Sequence, residues 1–464
     1  MLTVTPQWGR PVSAVDGKEG LGVLASAADP RRAVPWPSPS RGWLLVVLLA
    51  LASMVSQADR TVLNLAVQPI KAQFRLDDTH FAMLQAVAFG LFYTLCAIPI
   101  GRLVDRFPRG LVTGLCLGLF SLFSMGSGLS RSYAQLFATR VGVGVGEASV
   151  TPAALSLLSD LFPPARLGRA VAVFFLSAPI GMGLALIGGG ALIHWLTVSP
   201  LLAVGPLADL KPWQAAFVVI GFPGLLLAPA FVLLKEPARR GIGAQAPLSL
   251  REVGVVLAVR AGALIPMFVG FSMVTLTSFA FQIWVPALFI RAYGWDPAQV
   301  GLGVGLMQLT FGTGGVYFAG WLSDRMAARG RLDAQLKVAA FGFIGCGVLG
   351  ALAPLMPTGL LALTLLAPAL FLSNMPYPCA GTAIQLITPN RARAQVTAIY
   401  VTVITLTGLV AGPTLIGVMS DHVFTGPAGV RYSLAVVVGG AAPLMCGLLL
   451  AAAKPYRRLR ELAQ

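Results

Sequence analysis

Four charged residues fall inside stretches otherwise apolar enough to span a bilayer: Asp59, Arg60, Arg140 and Glu147. At the centre of a membrane helix each would cost roughly 2.5–3.5 kcal/mol on insertion scales, so such residues persist where they pair or face water. Depth decides whether they can meet. With the first span running outward and the fourth inward, Asp59 and Arg140 each lie about seven residues from the outer end of their span. At ~1.5 Å per residue, both sit roughly 10 Å below one interface. That level depth permits an Asp59–Arg140 pair. Glu147 follows two turns deeper on nearly the same face, and is expected to look into the same cavity near the midplane. Desolvation opposes a buried carboxylate's charge and a nearby Arg favours it, so conformation can toggle its protonation. The cluster reads either as proton coupling, with Asp59 and then Glu147 as carriers and Arg60 and Arg140 as charge partners, or as a static network fixing helix packing.

Other residue types narrow the chemistry. The second half carries no deep charge, and its expected cavity lining is neutral: Thr275, Gln282, Gln308, Asn374, Tyr377 and Tyr400. A cavity charged on one wall and neutral on the other suits an amphiphile; ordinary helix–helix hydrogen bonding by the same residues is the plainer alternative. Gly142, Gly144 and Gly146 lack the preceding strand of a dinucleotide loop. Pro179, Gly181, Gly183 and Gly188–Gly190 suit close helix crossing. The five cysteines form no CxxC pair, and His80, His194 and His422 have no ligand-spaced partners, so no metal site is expected. No HExxH, GxSxG or Walker loop is present, which leaves covalent catalysis and ATP hydrolysis without residues and predicts a non-enzyme with no cofactor.

The elements that must position these residues are helices in lipid. Of 464 residues, 56% are hydrophobic and 11% charged, too little polar surface to cover a soluble core of this size. Continuous apolar runs indicate helices, not the alternating strands of a barrel. Twelve spans are predicted, near 43–66, 80–101, 111–129, 133–158, 168–195, 213–234, 261–289, 297–320, 336–355, 359–387, 395–419 and 432–453. The net charge of +16 concentrates in alternate loops, as in Arg102, Arg106 and Arg109 or Arg325, Arg329 and Arg331. By the positive-inside rule this makes an inner-membrane protein with both termini cytoplasmic. No basic stripe with interleaved aromatics suggests nucleic acid. Residues 1–40 and 456–464 read as cytoplasmic tails, the first of them disordered, and 236–260 as a linker between halves at 41–235 and 261–455.

An internal repeat supports the halves. Gly101-x-Leu-x-Asp105-Arg106 recurs as Gly320-x-Leu-x-Asp324-Arg325, an offset of 219 residues, and Pro164-x-Arg166 is echoed by Pro389-x-Arg391. A carboxylate at such a helix end can meet a helix N-terminus and a basic partner, giving a latch; a topological anchor is the alternative.

The duplicated loop and twelve spans resemble the major facilitator superfamily over about residues 40–455. Within it SQADRTVLNLAVQPIKAQF (56–74), RVGVGVGEAS (140–149) and FFLSAPIGMGLA (174–185) resemble the spinster-like group. The resemblance implies an all-α membrane protein of two six-helix halves, in which Gly101, Asp105, Arg106, Gly320, Asp324 and Arg325 form a cytoplasmic gate. It also implies proton coupling through Asp59, Arg60, Arg140 and Glu147, with lysophospholipid or sphingolipid export known for eukaryotic members. The expectation is a monomeric transporter, driven by a proton gradient, that moves a small amphiphilic molecule through the lipid bilayer. Two alternatives are an organic-anion symporter, with Arg60 and Arg140 holding a carboxylate, and a membrane sensor that moves nothing.

Overall fold

The computed structural model describes residues 36–199, 209–234, 236–237, 250–389, 392–426 and 428–462, and among them every regular element is a helix. The first half comprises α1 (Pro39–Leu65), α2 (Asp78–Arg106), α3 (Arg109–Gly128), α4 (Tyr133–Leu161), α5 (Pro164–Val198) and α6 (Pro212–Val232). The second comprises α7 (Ala261–Tyr293), α8 (297–328), α9 (Ala334–Leu352), α10 (Gly359–Ile387), α11 (Gln395–His422) and α12 (Gly429–Glu461). Eleven of them are long and apolar enough to cross a membrane. The remaining one, α8, is diluted by glycines and by Gln299, Gln308 and Thr310. Capping follows the sequence: Ser132 accepts from the Gln135 N–H at the start of α4, and Asp296 from Ala298 and Gln299 at the start of α8. Gly294, at φ 68°, turns the chain out of α7.

Element ends depart from expectation in three places. Helix α1 starts inside the expected first tail, and α12 runs through Pro455 to Glu461, absorbing most of the expected second one. A short helix, Leu250–Val259, occupies the end of the linker. Residues 1–35 of the tail, 238–249 of the linker and Arg391 of the second echo lie outside the described residues.

Small residues set the packing. Cβ atoms added at Gly114 and Gly128 of α3 would stand 2.7 and 2.3 Å from the Ala228 and Gln214 carbonyls of α6. Between the halves, one at Gly190 of α5 would stand 2.3 Å from the Pro297 carbonyl, and one at Gly301 of α8 2.2 Å from that of Leu186. Backbones this close gain dispersion contacts that lipid cannot replace. Three of the helices that meet across the halves carry a π-helical segment: Leu84–Leu91 in α2, Gln308–Gly312 in α8 and Thr407–Ala411 in α11. Such segments bend a helix and break its hydrogen-bond ladder locally.

Candidate transport site

Asp59 lies wholly buried among α1, α3, α4 and α6. Its carboxylate accepts from Arg140 Nη1 at 2.6 Å and Nη2 at 3.2 Å, and from the Ser124 hydroxyl. Arg140 also donates to Ser127 Oγ at 2.6 Å and lies 5.0 Å from the Phe217 ring centroid. Every strong donor and acceptor of the pair thus has a partner, the condition under which a buried ion pair is tolerable.

Arg60 and Glu147 form a second pair, with Arg60 Nε 3.3 Å from Glu147 Oε2 and the guanidinium stacked 4.4 Å from the Phe89 centroid. The two pairs differ in access. Side-chain exposure is 1% and 0% for Arg140 and Asp59, but 13% and 10% for Arg60 and Glu147. In this conformation the Arg60–Glu147 pair keeps a small exposed surface and the Arg140–Asp59 pair keeps almost none. The glycines between Arg140 and Glu147 explain how α4 comes so close. Added Cβ atoms would meet Phe123 from Gly142 at 2.3 Å, the Phe89 carbonyl from Gly144 at 2.7 Å and the Phe120 nitrogen from Gly146 at 2.6 Å.

A cavity of about 1160 Å³ lies between the halves, lined by α1, α5, α7, α8 and α10. Gln57, Thr61 and Asn64 face it from α1, at the i, i+4, i+7 spacing of one helical face. Asp59 sits about 200° around the helix from Gln57, and Arg60 about 60°. This corrects the expectation of one chamber shared by all the charges: among the described residues, the cavity lining includes no charged side chain. Of the neutral candidates, Gln282, Gln308, Asn374 and Tyr377 line it. Thr275 and Tyr400 do not. The Thr275 hydroxyl is turned into the α7–α11 contact, donating to the Ile404 carbonyl at 2.8 Å, and Tyr400 packs on Phe268 and Phe271. Helix α4 breaks after Glu147 and α10 after Asn374, at corresponding places in the two halves, so a carboxylate on one side answers a carboxamide on the other.

The cavity is closed at one end by a cluster that sequence reasoning missed. The Asp78 carboxylate, at the start of α2, accepts from Arg291 of α7 at 2.6 and 2.7 Å, from Ser420 of α11 at 2.8 Å and from Lys71. Asp421 of α11 in turn accepts from the Asp78 N–H at 3.1 Å and from the Thr79 N–H and hydroxyl at 2.6 Å. A carboxylate from one half therefore caps a helix of the other, where the helix dipole favours it.

Toward the other end the halves separate. Phe175 and Leu176 of α5, with Val316 and Tyr317 of α8, line the cavity yet are exposed, Tyr317 at 80%. The expected gate lies here, with Asp105, Arg106, Asp324 and Arg325 all exposed. Added Cβ atoms at Gly101 and Gly320 would meet nothing within 4 Å, so the close approach expected of these glycines is absent from this conformation. Arg109, read from sequence only as one more positive charge, is 1% exposed. It binds Asp160, Glu236 at 2.7 Å and the Ser156 carbonyl at 3.0 Å, pinning the chain leaving α6 to α3 and α4. The second half uses the same device with charges exchanged: Asp333 before α9 accepts from Arg457 of α12 at 2.8 Å and pairs with Lys337 at 3.1 Å. Burial pushes the Asp333 carboxyl up, but these two cations outweigh it and hold the group below its ordinary value.

The profile of the major facilitator superfamily matches residues 49–413, most of the helical chain just described. The chain belongs to the major facilitator superfamily. It is 30% identical over 292 residues to an MFS-type efflux pump of Mycolicibacterium smegmatis, covering 63% of this chain and 64% of that one. It is 26% identical over 343 residues to a probable L-galactonate transporter of Escherichia coli, covering 70% and 72%. To Protein spinster of Drosophila melanogaster it is 24% identical over 311 residues, 65% of this chain and 49% of that protein, so it spans about half the length of this relative. The crystal structure of a bacterial homolog of the human lysosomal transporter spinster, inward-facing and unoccupied, superposes with a TM-score of 0.75 at 22% identity. That superposition covers 92% of this chain and 98% of the other. The facilitator fold and the spinster-like resemblance stand on these matches.

Proposed function

We propose that this superfamily member is a proton-coupled secondary transporter that moves a small amphiphilic or lipid-like molecule across the inner membrane by alternating access. The observation that carries the reading is a cavity between the halves, closed toward the Asp78 end and open at the other, together with a partly exposed Arg60–Glu147 pair that joins α1 to α4 outside the cavity lining. With both termini cytoplasmic, as the loop charges favour, the open end faces the cytoplasm and the conformation is inward-facing. Protonating Glu147 removes the charge that holds Arg60, which frees the guanidinium and the α1–α4 contact to rearrange. Asp59–Arg140, dry behind α1, serves as the fixed support of that switch.

The cavity wall favours an amphiphile over an organic anion. Arg140 is committed to Asp59 and Arg60 to Glu147, so neither cation is available to a substrate carboxylate in this state. Reconstitution into liposomes under an imposed pH gradient, with candidate amphiphiles and organic acids added in turn, tests the proposal. Gradient-dependent movement of an amphiphile is expected. Movement of organic acids alone, weakened by loss of either Arg, would replace this reading with anion symport.

A further inference from the structure

We infer that the cavity selects molecules whose polar head is uncharged and both donates and accepts hydrogen bonds. The inference rests on the cavity being the substrate site, as proposed above, and concerns what that site can recognise. Its unused hydrogen-bonding capacity comes from neutral groups. Gln282 spends its amide only on a weak contact with Met182 Sδ at 3.7 Å, leaving its oxygen open. The Asn374 amide donates to the Leu370 carbonyl at 2.8 Å, and its oxygen is likewise open. Gln308 sits in the π-helical turn that bends α8, its side chain folded against Gly312. Carboxamides offer both donors and acceptors, matching hydroxyls and amides, while an anion or a cation uses only half of each group.

The electrostatics point the same way. An ionic head entering this cavity loses its water and gains no counter-charge, since Arg60 and Arg140 are each already neutralised by a carboxylate. Burying an uncompensated ion is far more costly than burying a hydrogen-bonded neutral group. Sites built to hydrogen-bond a substrate discriminate steeply against molecules that leave their polar groups unpaired. Apolar side chains such as Met182, Leu186 and Leu370 supply the rest of the wall and suit an uncharged aliphatic body.

The test uses a tail-matched set: octyl glucoside, octyl phosphate and octylammonium. Each is titrated against maleimide labelling of Leu370→Cys, a cavity position, in full-length protein whose five native cysteines are replaced, held in nanodiscs. Octyl glucoside is expected to slow labelling at a concentration at least ~10-fold lower than either ion. Gln282→Leu combined with Gln308→Leu should erase that preference. Protection by either ion at equal or lower concentration overturns the inference while leaving the cavity as the binding site. Labelling that none of the three slows overturns both the inference and the assignment of the cavity.

Discussion

Replacing Asp78 by Asn removes the charge on which Arg291, Lys71 and Ser420 converge, and leaves two cations facing each other at the seam between the halves. Removing one partner of a buried ion pair costs about 3–5 kcal/mol. Here the cations keep some contact with water, with side-chain exposures of 16% for Arg291 and 18% for Lys71, which lowers the effect. A loss of ~2–3 kcal/mol for the state closed at this end follows, a shift of roughly 30- to 150-fold in its population relative to the state open there. Spin labels at Trp195→Cys on α5 and Leu302→Cys on α8, both exposed, report the separation by double electron–electron resonance. The wild type should give one short distance, and the Asp78→Asn protein an added longer one. Adding Arg291→Gln removes one unpaired cation and should return part of the short population. An unchanged distance distribution in the Asp78→Asn protein would refute the reasoning, because the cluster would then be ornamental to closure.

Three further outcomes follow from named contacts. Asp59→Asn strands Arg140 in a dry site, so thermal unfolding in detergent should show a loss of about 3–5 kcal/mol; a near-neutral effect would mean that water reaches Arg140. Gly301→Ala puts a Cβ 2.2 Å from the Leu186 carbonyl and should open the same seam as Asp78→Asn, but without salt dependence in the label distances. The Asp333 carboxyl is held below its ordinary value of 3.8 in the folded state, so its contribution is full above that value and lost as pH falls through the lower folded value. Stability curves below about pH 4 should therefore flatten in Asp333→Asn, and an unaltered acid slope would contradict the pairing with Arg457 and Lys337.

The membrane helices were legible because hydrocarbon leaves the backbone so few options, and the halves because Gly-x-Leu-x-Asp-Arg occurs twice at the right offset. The level depths of Asp59 and Arg140 were legible too, since rise per residue is fixed in a helix. Rotation around the helix was harder to read. Asp59 and Gln57 are two residues apart and lie on nearly opposite faces, and only the packing of α3 and α6 reveals which face is the cavity. Asp78, Arg291 and Asp421 escaped notice because charges at helix ends ordinarily face solvent, and nothing local signals that ends from opposite halves meet. The π-helical turns left no sequence mark at all, yet one of them carries Gln308. Thr275 and Tyr400 were drawn into the cavity list by polarity alone, whereas close approach at Gly408 and Gly412 turns α11 against α7 and takes both side chains into that contact.

The central claim is that Glu147, the more exposed of the two buried carboxylates paired with arginine in α1 and α4, couples protons to substrate movement. Its most direct test compares two modes of transport by the Glu147→Gln protein in liposomes loaded with a substrate found in the gradient screen. Counterflow at equal pH should persist, because the cavity and both ends are untouched, while accumulation driven by a pH gradient should vanish. Gradient-driven accumulation at the wild-type level in that variant would contradict the account.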